Sequence, residues 1–375
     1  MWVRFQGSTA KPPAVQVIAR IPMLRARLPV NRMNDSETMI EAGLCALLRG
    51  EPAAWPASEP AKFEAQFRDC AAYHGVGPLL ARQHSLGMLR DDRIPELPFP
   101  AGQAKDEAAI EMTRKHELVR TLNALAESGV TPLLLKGVAL AYSIYPSPAL
   151  RPRADTDLLI RSVDRAVTDR ILSRLGYEKP NAISGDIVKY QCGYVMRDRF
   201  GMDHVLDVHW RISNTQLFSR ALDYEELRLR SVSLADLGEH ARGLALEDAL
   251  LHACMHRAHH MHSPMHFDGA PRMSGDRLIW LYDMHLLVAA MSKRQLMDFA
   301  RLAERKGMRA ICRDGLLQTH RCFGTQIPED VLVSMTSAGP VELSEAHLQA
   351  GSMRYFLTEL RSLPRWLDRM KLLRE

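Results

Sequence analysis

The chain has no uninterrupted apolar run of about 18 residues, so no membrane-spanning helix is expected. It also lacks a clear signal-peptide pattern, an internal repeat and any long low-complexity region, which excludes a repeat solenoid. Its six cysteines (Cys45, Cys70, Cys192, Cys254, Cys312, Cys322) are scattered, with no close pair at zinc-ligand or redox spacing. Buried thiols in a reducing cytoplasm are therefore the expectation. Charge of one sign is lacking too: 49 basic against 44 acidic residues leave +5. That excess suits a phosphate-bearing ligand but makes no basic stripe, so nucleic acid is not indicated. What remains is the composition of an ordinary globular protein, 46% apolar and 25% charged. Its 375 residues allow two domains, or one with sizeable flanks.

Residues 1–34 form a basic stretch, with six basic and no acidic residues up to Arg32. They are expected to be a disordered extension, or an over-long start ahead of Met33. A helical region follows over 35–104, with Leu44, Leu47 and Leu48 on one stripe and Phe63, Phe67 and Ala71 on another. It is broken by "GEPAAWPASEPA" and by "RIPELPFPAG" near 93–102. The segment 105–237 alternates helix and strand. A helix runs from Lys105 to Ser128 and stops at Gly129. "TPLLLKG" is a short buried strand, and Gly137 turns it into a helix. Val163–Leu175 is a helix capped by Ser162, and strands are expected near Ile187–Met196 and His204–Ile212. Residues 238–375 are helical again: Leu244–His260, Arg277–Met291, Lys293–Lys306 and a basic amphipathic end segment Met353–Leu373.

The chemistry is concentrated in "RPRADTDLLI" (Arg151–Ile160) and "VLDVHW" (Val205–Trp210). On a strand, residues two apart share a face, so Asp155 and Asp157 project together, as do Val205, Asp207 and His209. Leu206, Val208 and Trp210 then face the core. If the two strands are neighbours, three carboxylates converge. At an effective dielectric near 20 such charges repel by about 4 kcal/mol per pair. The cluster must take up protons or bind a hard cation, for which magnesium is the natural occupant. That is the chemistry of a metal-dependent phosphoryl or nucleotidyl transferase.

"LLLKGVALAYSIY", "RPRADTDLLI", "LDVHW", "LLHACMH" and "RLIWLYDMHLLV" together resemble the uncharacterised nucleotidyltransferase family of the DNA polymerase β-like superfamily, over roughly residues 105–290. The resemblance implies an α+β fold: a minimal nucleotidyltransferase mixed sheet with helices, flanked by helical N- and C-terminal regions. It implies that Asp155 and Asp157 hold two Mg2+ ions (or Mn2+), with Asp207 as the third ligand. It further implies transfer of an NMP from an NTP, such as ATP, to a hydroxyl-bearing acceptor. Many relatives carry Gly-Ser where this chain has Lys136-Gly137. The Lys136 ammonium would replace the hydroxyl at the triphosphate, beside the free N–H groups after Gly137. Arg151 and Arg153 are further candidates for phosphate contact, or for ion pairs with the nearby aspartates.

Each residue also has a plainer reading. Asp155 and Asp157 could edge a solvated strand, Asp207 could pair with Arg211, and Lys136 could be an exposed strand-end lysine. His209 could orient Asp207, touch substrate or simply pack. His252, His256 and His260 share a helix face, with His259, His262 and His266 close by. No Glu lies between His252 and His256, so a zinc-peptidase motif is absent. These histidines line the interface with the catalytic unit, contact nucleotide or acceptor, or form a metal site of their own. Two rival functions stand beside the transferase: an inactive nucleotide- or partner-binding protein of the same fold, and a histidine-metal phosphohydrolase.

Overall fold

Among the described residues four helices precede the sheet: α1 (Asp35–Leu48), α2 (Pro60–His74), α3 (Gly77–Ser85) and α4 (Gln103–Glu127). The central segment carries β1 (Leu133–Leu135), α5 (Lys136–Ala141), β2 (Thr156–Leu159), α6 (Arg165–Arg174), β3 (Gln191–Arg197), β4 (Asp203–His209), α7 (Tyr224–Arg230), β5 (Val232–Ser233) and β6 (Arg242–Gly243). Then come α8 (Leu246–His260), a hairpin of β7 (Met265–Phe267) and β8 (Ala270–Arg272), α9 (Leu278–Ala290), α10 (Lys293–Arg305), α11 (Arg309–Phe323), α12 (Glu329–Ser334) and α13 (Leu343–Leu348). This computed structural model describes residues 35–55, 59–88, 103–179, 190–261, 265–267, 270–272, 276–336, 342–348 and scattered positions from 357 to 370. The expected extension over 1–34, the Pro-rich break near 93–102 and most of the expected helix Met353–Leu373 lie outside the described residues.

The class is mixed α+β with helical flanks. Six strands form one sheet in the order β3-β4-β2-β1-β6-β5. β1 runs antiparallel to β2, and β2 runs parallel to β4 with Asp157 directly across from Asp207. β3 closes the edge antiparallel to β4. The two-residue strands β5 and β6 were not legible in the sequence, being too short to show a period of two.

The pleat sorts the side chains into two cores. Leu134, Leu158, Ile160, Leu206 and Val208 face one side and pack with Leu118, Leu122 and Leu125 of α4 and with Ile171 and Leu172 of α6. Leu133, Leu135 and Leu159 face the other side, against a large cluster shared by α1–α3 and α8–α12. All three leucines of β1 have 0% exposure. Each buried leucine contributes roughly 1.5–3 kcal/mol, so this short strand is held by both faces rather than by its few backbone bonds. The acidic side chains sit on the second face, at the end of the strands where apolar residues give way to a cleft.

Gly129 ends α4 with φ +77, and Gly176 follows α6 with φ +90, backbone that a side chain would strain. Ser162 does not cap α6. The Arg161 guanidinium grips both carboxylate oxygens of Asp164 (2.7 and 3.0 Å), which closes a 3-10 turn over Ser162–Asp164, and the α-helix begins only after it. Trp210 is half-buried rather than core, because it lies just past the end of β4. There the Arg165 guanidinium covers its ring at 3.8 Å. No described helix is long and apolar enough to cross a membrane.

Candidate functional site

The β2–β4 ladder sets Asp157 and Asp207 side by side, and His209 two residues further along the same face. Donor atoms of Asp157, Asp207 and His209 all lie within 4.8 Å of one another, the one group of this kind among the described residues. Asp157 is 5% exposed and accepts two bonds on one oxygen, Oδ1. The Lys136 Nζ donates at 2.7 Å and the His209 Nε2 at 2.9 Å. Asp207 Oδ2 accepts from the Gln191 side chain at 3.2 Å. Gly193 stands across from Asp207 on β3, where a Cβ would come within 3.3 Å of Oδ1.

Asp155 precedes β2 and lies inside the cleft, reached by solvent but ringed by protein, outside this closest group. Burial in the cleft and the charge of Asp157 raise its carboxyl to about 6. Asp207 is raised to about 6 by the same two causes. For Asp157 burial pushes the same way, but Lys136 and His209 outweigh it and hold the carboxyl well below the usual range. Burial also lowers His209, which is therefore a neutral imidazole donating from Nε2 to Asp157. Its buried Nδ1 has no hydrogen-bond partner among the described residues. So His209 touches Asp157 rather than orienting Asp207, and Arg211 stacks on Tyr190 at 4.3 Å rather than pairing with Asp207.

The two arginines before β2 do not pair with the neighbouring aspartates. Arg151 forms a buried two-bond pair with Asp283 of α9, Nε and Nη2 each at 2.8 Å, while the Tyr145 hydroxyl donates to the same carboxylate at 2.7 Å. A third Arg151 nitrogen donates to the Pro152 carbonyl, so most of its donors are committed within the protein. Arg153 is buried and its Nη1 bonds Glu111 of α4. Its Nε and Nη2 are buried without a hydrogen-bond partner among the described residues.

These groups line one cleft of about 1300 Å³. Lys136, Gly137, Arg151, Arg153, Asp155, Asp157, Asp207, His209, His252 and His256 all reach it, so the sequence candidates converge on a single place. Pockets for one drug-sized ligand run roughly 300–1,000 Å³, which leaves room here for two substrates. Sequence reasoning passed over Gln191, Arg114, Arg277, Trp280 and Asp283. Arg114 and Arg277 line the cleft as well. Burial, and then the charge of Arg153, lowers Arg114, while burial and Arg151 bring Arg277 to about 10. Among these only Asp283 carried a signal, as a lone acid inside the apolar helix "LIWLYDMHLLV".

The α8 histidines face the cleft without gathering as metal ligands. His256 meets the Trp280 ring edge-on at 4.9 Å, and His260 stacks on it at 5.0 Å. Burial lowers all three rings, His252 and His260 to about 3, so they are neutral at physiological pH. No histidine-centred metal group occurs among the described residues. His262 lies outside the described residues.

The donors present fit a divalent cation: two opposed carboxylates of hard oxygen, with one imidazole that manganese also accepts. A family model described as an uncharacterised nucleotidyltransferase matches residues 64–324. No curated protein matches the chain.

Proposed function

The chain belongs to the uncharacterised nucleotidyltransferase family, and from that premise we propose that it moves a nucleoside monophosphate from an NTP to a hydroxyl-bearing acceptor. One observation carries this reading. Asp157 and Asp207 oppose each other across the β2–β4 ladder on the floor of a cleft walled by Lys136, Arg114, Arg153 and Arg277. Asp106 and Glu107 share that wall, and its basic side chains above the acidic floor suit a cation-bound triphosphate.

In this reading Asp157 and Asp207 hold a divalent cation, with Asp155 beside them. When bound, it supplies charge neutralisation and polarises the α-phosphate. The acceptor oxygen forms a bond to the α-phosphorus in line with the breaking bond to the β-phosphate oxygen. Pyrophosphate leaves with that electron pair, and the hydroxyl proton passes to Asp207. Lys136, with Gly137 next to it, seats the leaving phosphates, and Arg153 lines the same cleft and adds positive charge beside them. The protein's part is position and field rather than covalent chemistry. Arg151 acts through Asp283, fixing the loop before β2.

The test incubates the protein and magnesium with NTPs labelled at either the α- or the γ-phosphorus, together with a metabolite extract. Label arriving on an acceptor from the α-position, with γ-label leaving as pyrophosphate, is the expected result. Transfer of γ-label to an acceptor would mean a kinase instead.

A further inference from the structure

We infer that the Lys136 ammonium is a built-in second cation of this site, so that the protein works with one divalent ion where its superfamily pattern uses two. The inference rests on the nucleotidyl-transfer reading above and adds the number and nature of the site's cations. The Lys136 Nζ lies 2.7 Å from Asp157 Oδ1, and His209 Nε2 reaches the same oxygen at 2.9 Å. A carboxylate oxygen offers about two lone-pair positions, so that oxygen is filled. Among the described residues no hydrogen bond reaches Asp157 Oδ2 or Asp207 Oδ1, and these two oxygens belong to residues opposed across the ladder. With His209 they belong to the one close group of metal-ligating atoms among the described residues, and Asp155 stands outside it.

Charge balance agrees. Asp155, Asp157 and Asp207 against Lys136 leave two negative charges, which a single divalent ion balances. The backbone is also committed to this arrangement. Lys136 has φ +50, the one positive φ at a non-glycine among the described residues. Glycine would take that turn without strain, yet the position carries a lysine whose ammonium touches Asp157 from the end of β1. From there the ammonium bridges Asp157 to the phosphates, as a second metal would.

The experiment counts Mn2+ by electron paramagnetic resonance on the full chain, scoring only ions lost in Asp207→Asn. Wild type is expected to hold one uncoupled ion, and so is Lys136→Arg. Lys136→Met should hold two, with the spin-coupled spectrum of neighbouring ions. Lys136→Gln serves as a second neutral variant should the methionine variant melt early. Two coupled ions in wild type, or a single ion in both neutral variants, would overturn the role of Lys136 while leaving the transferase site standing. No ion sensitive to Asp207→Asn would instead overturn the site itself, and the inference with it.

Discussion

Asp207 stands directly across from Asp157 in the parallel β2–β4 ladder, and the two carboxylates are bonded by different partners: Lys136 and His209 on Asp157, Gln191 alone on Asp207. The less compensated acid is the one whose carboxyl is raised. Asp207→Asn should lower transfer by roughly 10²–10³-fold or more, the scale of removing a preorganised electrostatic group. It should leave the melting temperature of the metal-free protein unchanged or higher, because it relieves repulsion with Asp157. A large stability loss with retained transfer would identify Asp207 as structural. Rates and thermal melts of the same preparation decide.

The raised carboxyls fix the direction of the pH response. Asp155 and Asp207 ionise near 6 when folded against 3.8 ordinarily, so between those values the folded state binds more protons. Their relative contribution to stability is full below about pH 4 and is lost as pH rises through about 6. Asp157 has the opposite sign, and its contribution is lost only as pH falls through its depressed value. Thermal melts in chelator across this window should show a decline toward neutral pH that is shallower in Asp207→Asn. Divalent-ion affinity should rise over the same interval, as the carboxyls lose their protons.

Gly193→Ala tests the site without touching a charge. Its Cβ would sit 3.3 Å from Asp207 Oδ1, so that oxygen must shift by a few tenths of an ångström. Mn2+ binding should weaken several-fold, while stability changes by less than about 1 kcal/mol. Unchanged binding in calorimetry would show that Asp207 Oδ1 is not a ligand.

Asp283→Ala leaves the Arg151 guanidinium buried without its counter-ion and removes the acceptor of Tyr145. A loss of about 3–5 kcal/mol in denaturant unfolding is expected, as for other broken buried pairs. A loss near zero would mean that Arg151 relaxes into the cleft.

Gly43→Ala places a methyl within 2.2 Å of the Trp55 ring in the middle of α1. Alanine favours a helix by about 1 kcal/mol over glycine, but overpacking typically costs about 1–3 kcal/mol. The net effect should be destabilising by urea titration, and a stabilised variant would contradict the packing described.

The strands that carry the site were readable because they are apolar runs interrupted on one face by polar, metal-ligating residues. "TDLL" and "LDVH" announce both a buried face and a polar end. Asp155 shows the limit of that reading. Spacing puts it on the face of Asp157, but it falls before the strand begins, and His209 takes its place in the closest group. The arginine partners were illegible for a different reason. Asp283 lies 132 residues from Arg151, and Glu111 lies 42 from Arg153, so only tertiary packing brings them together. Arg114 and Arg277 look like any solvated helix charge until the cleft is seen around them.

The most direct measurement is calorimetric titration of the four α,β-methylene nucleoside triphosphates, with and without magnesium, into wild type, Asp157→Asn and Asp207→Asn. At least one nucleotide should bind wild type in a magnesium-dependent manner, and each substitution should weaken that binding roughly 10–100-fold or more. Binding indifferent to magnesium and to both substitutions, or no binding of any of the four, would contradict a nucleotide-transfer site built on Asp157 and Asp207.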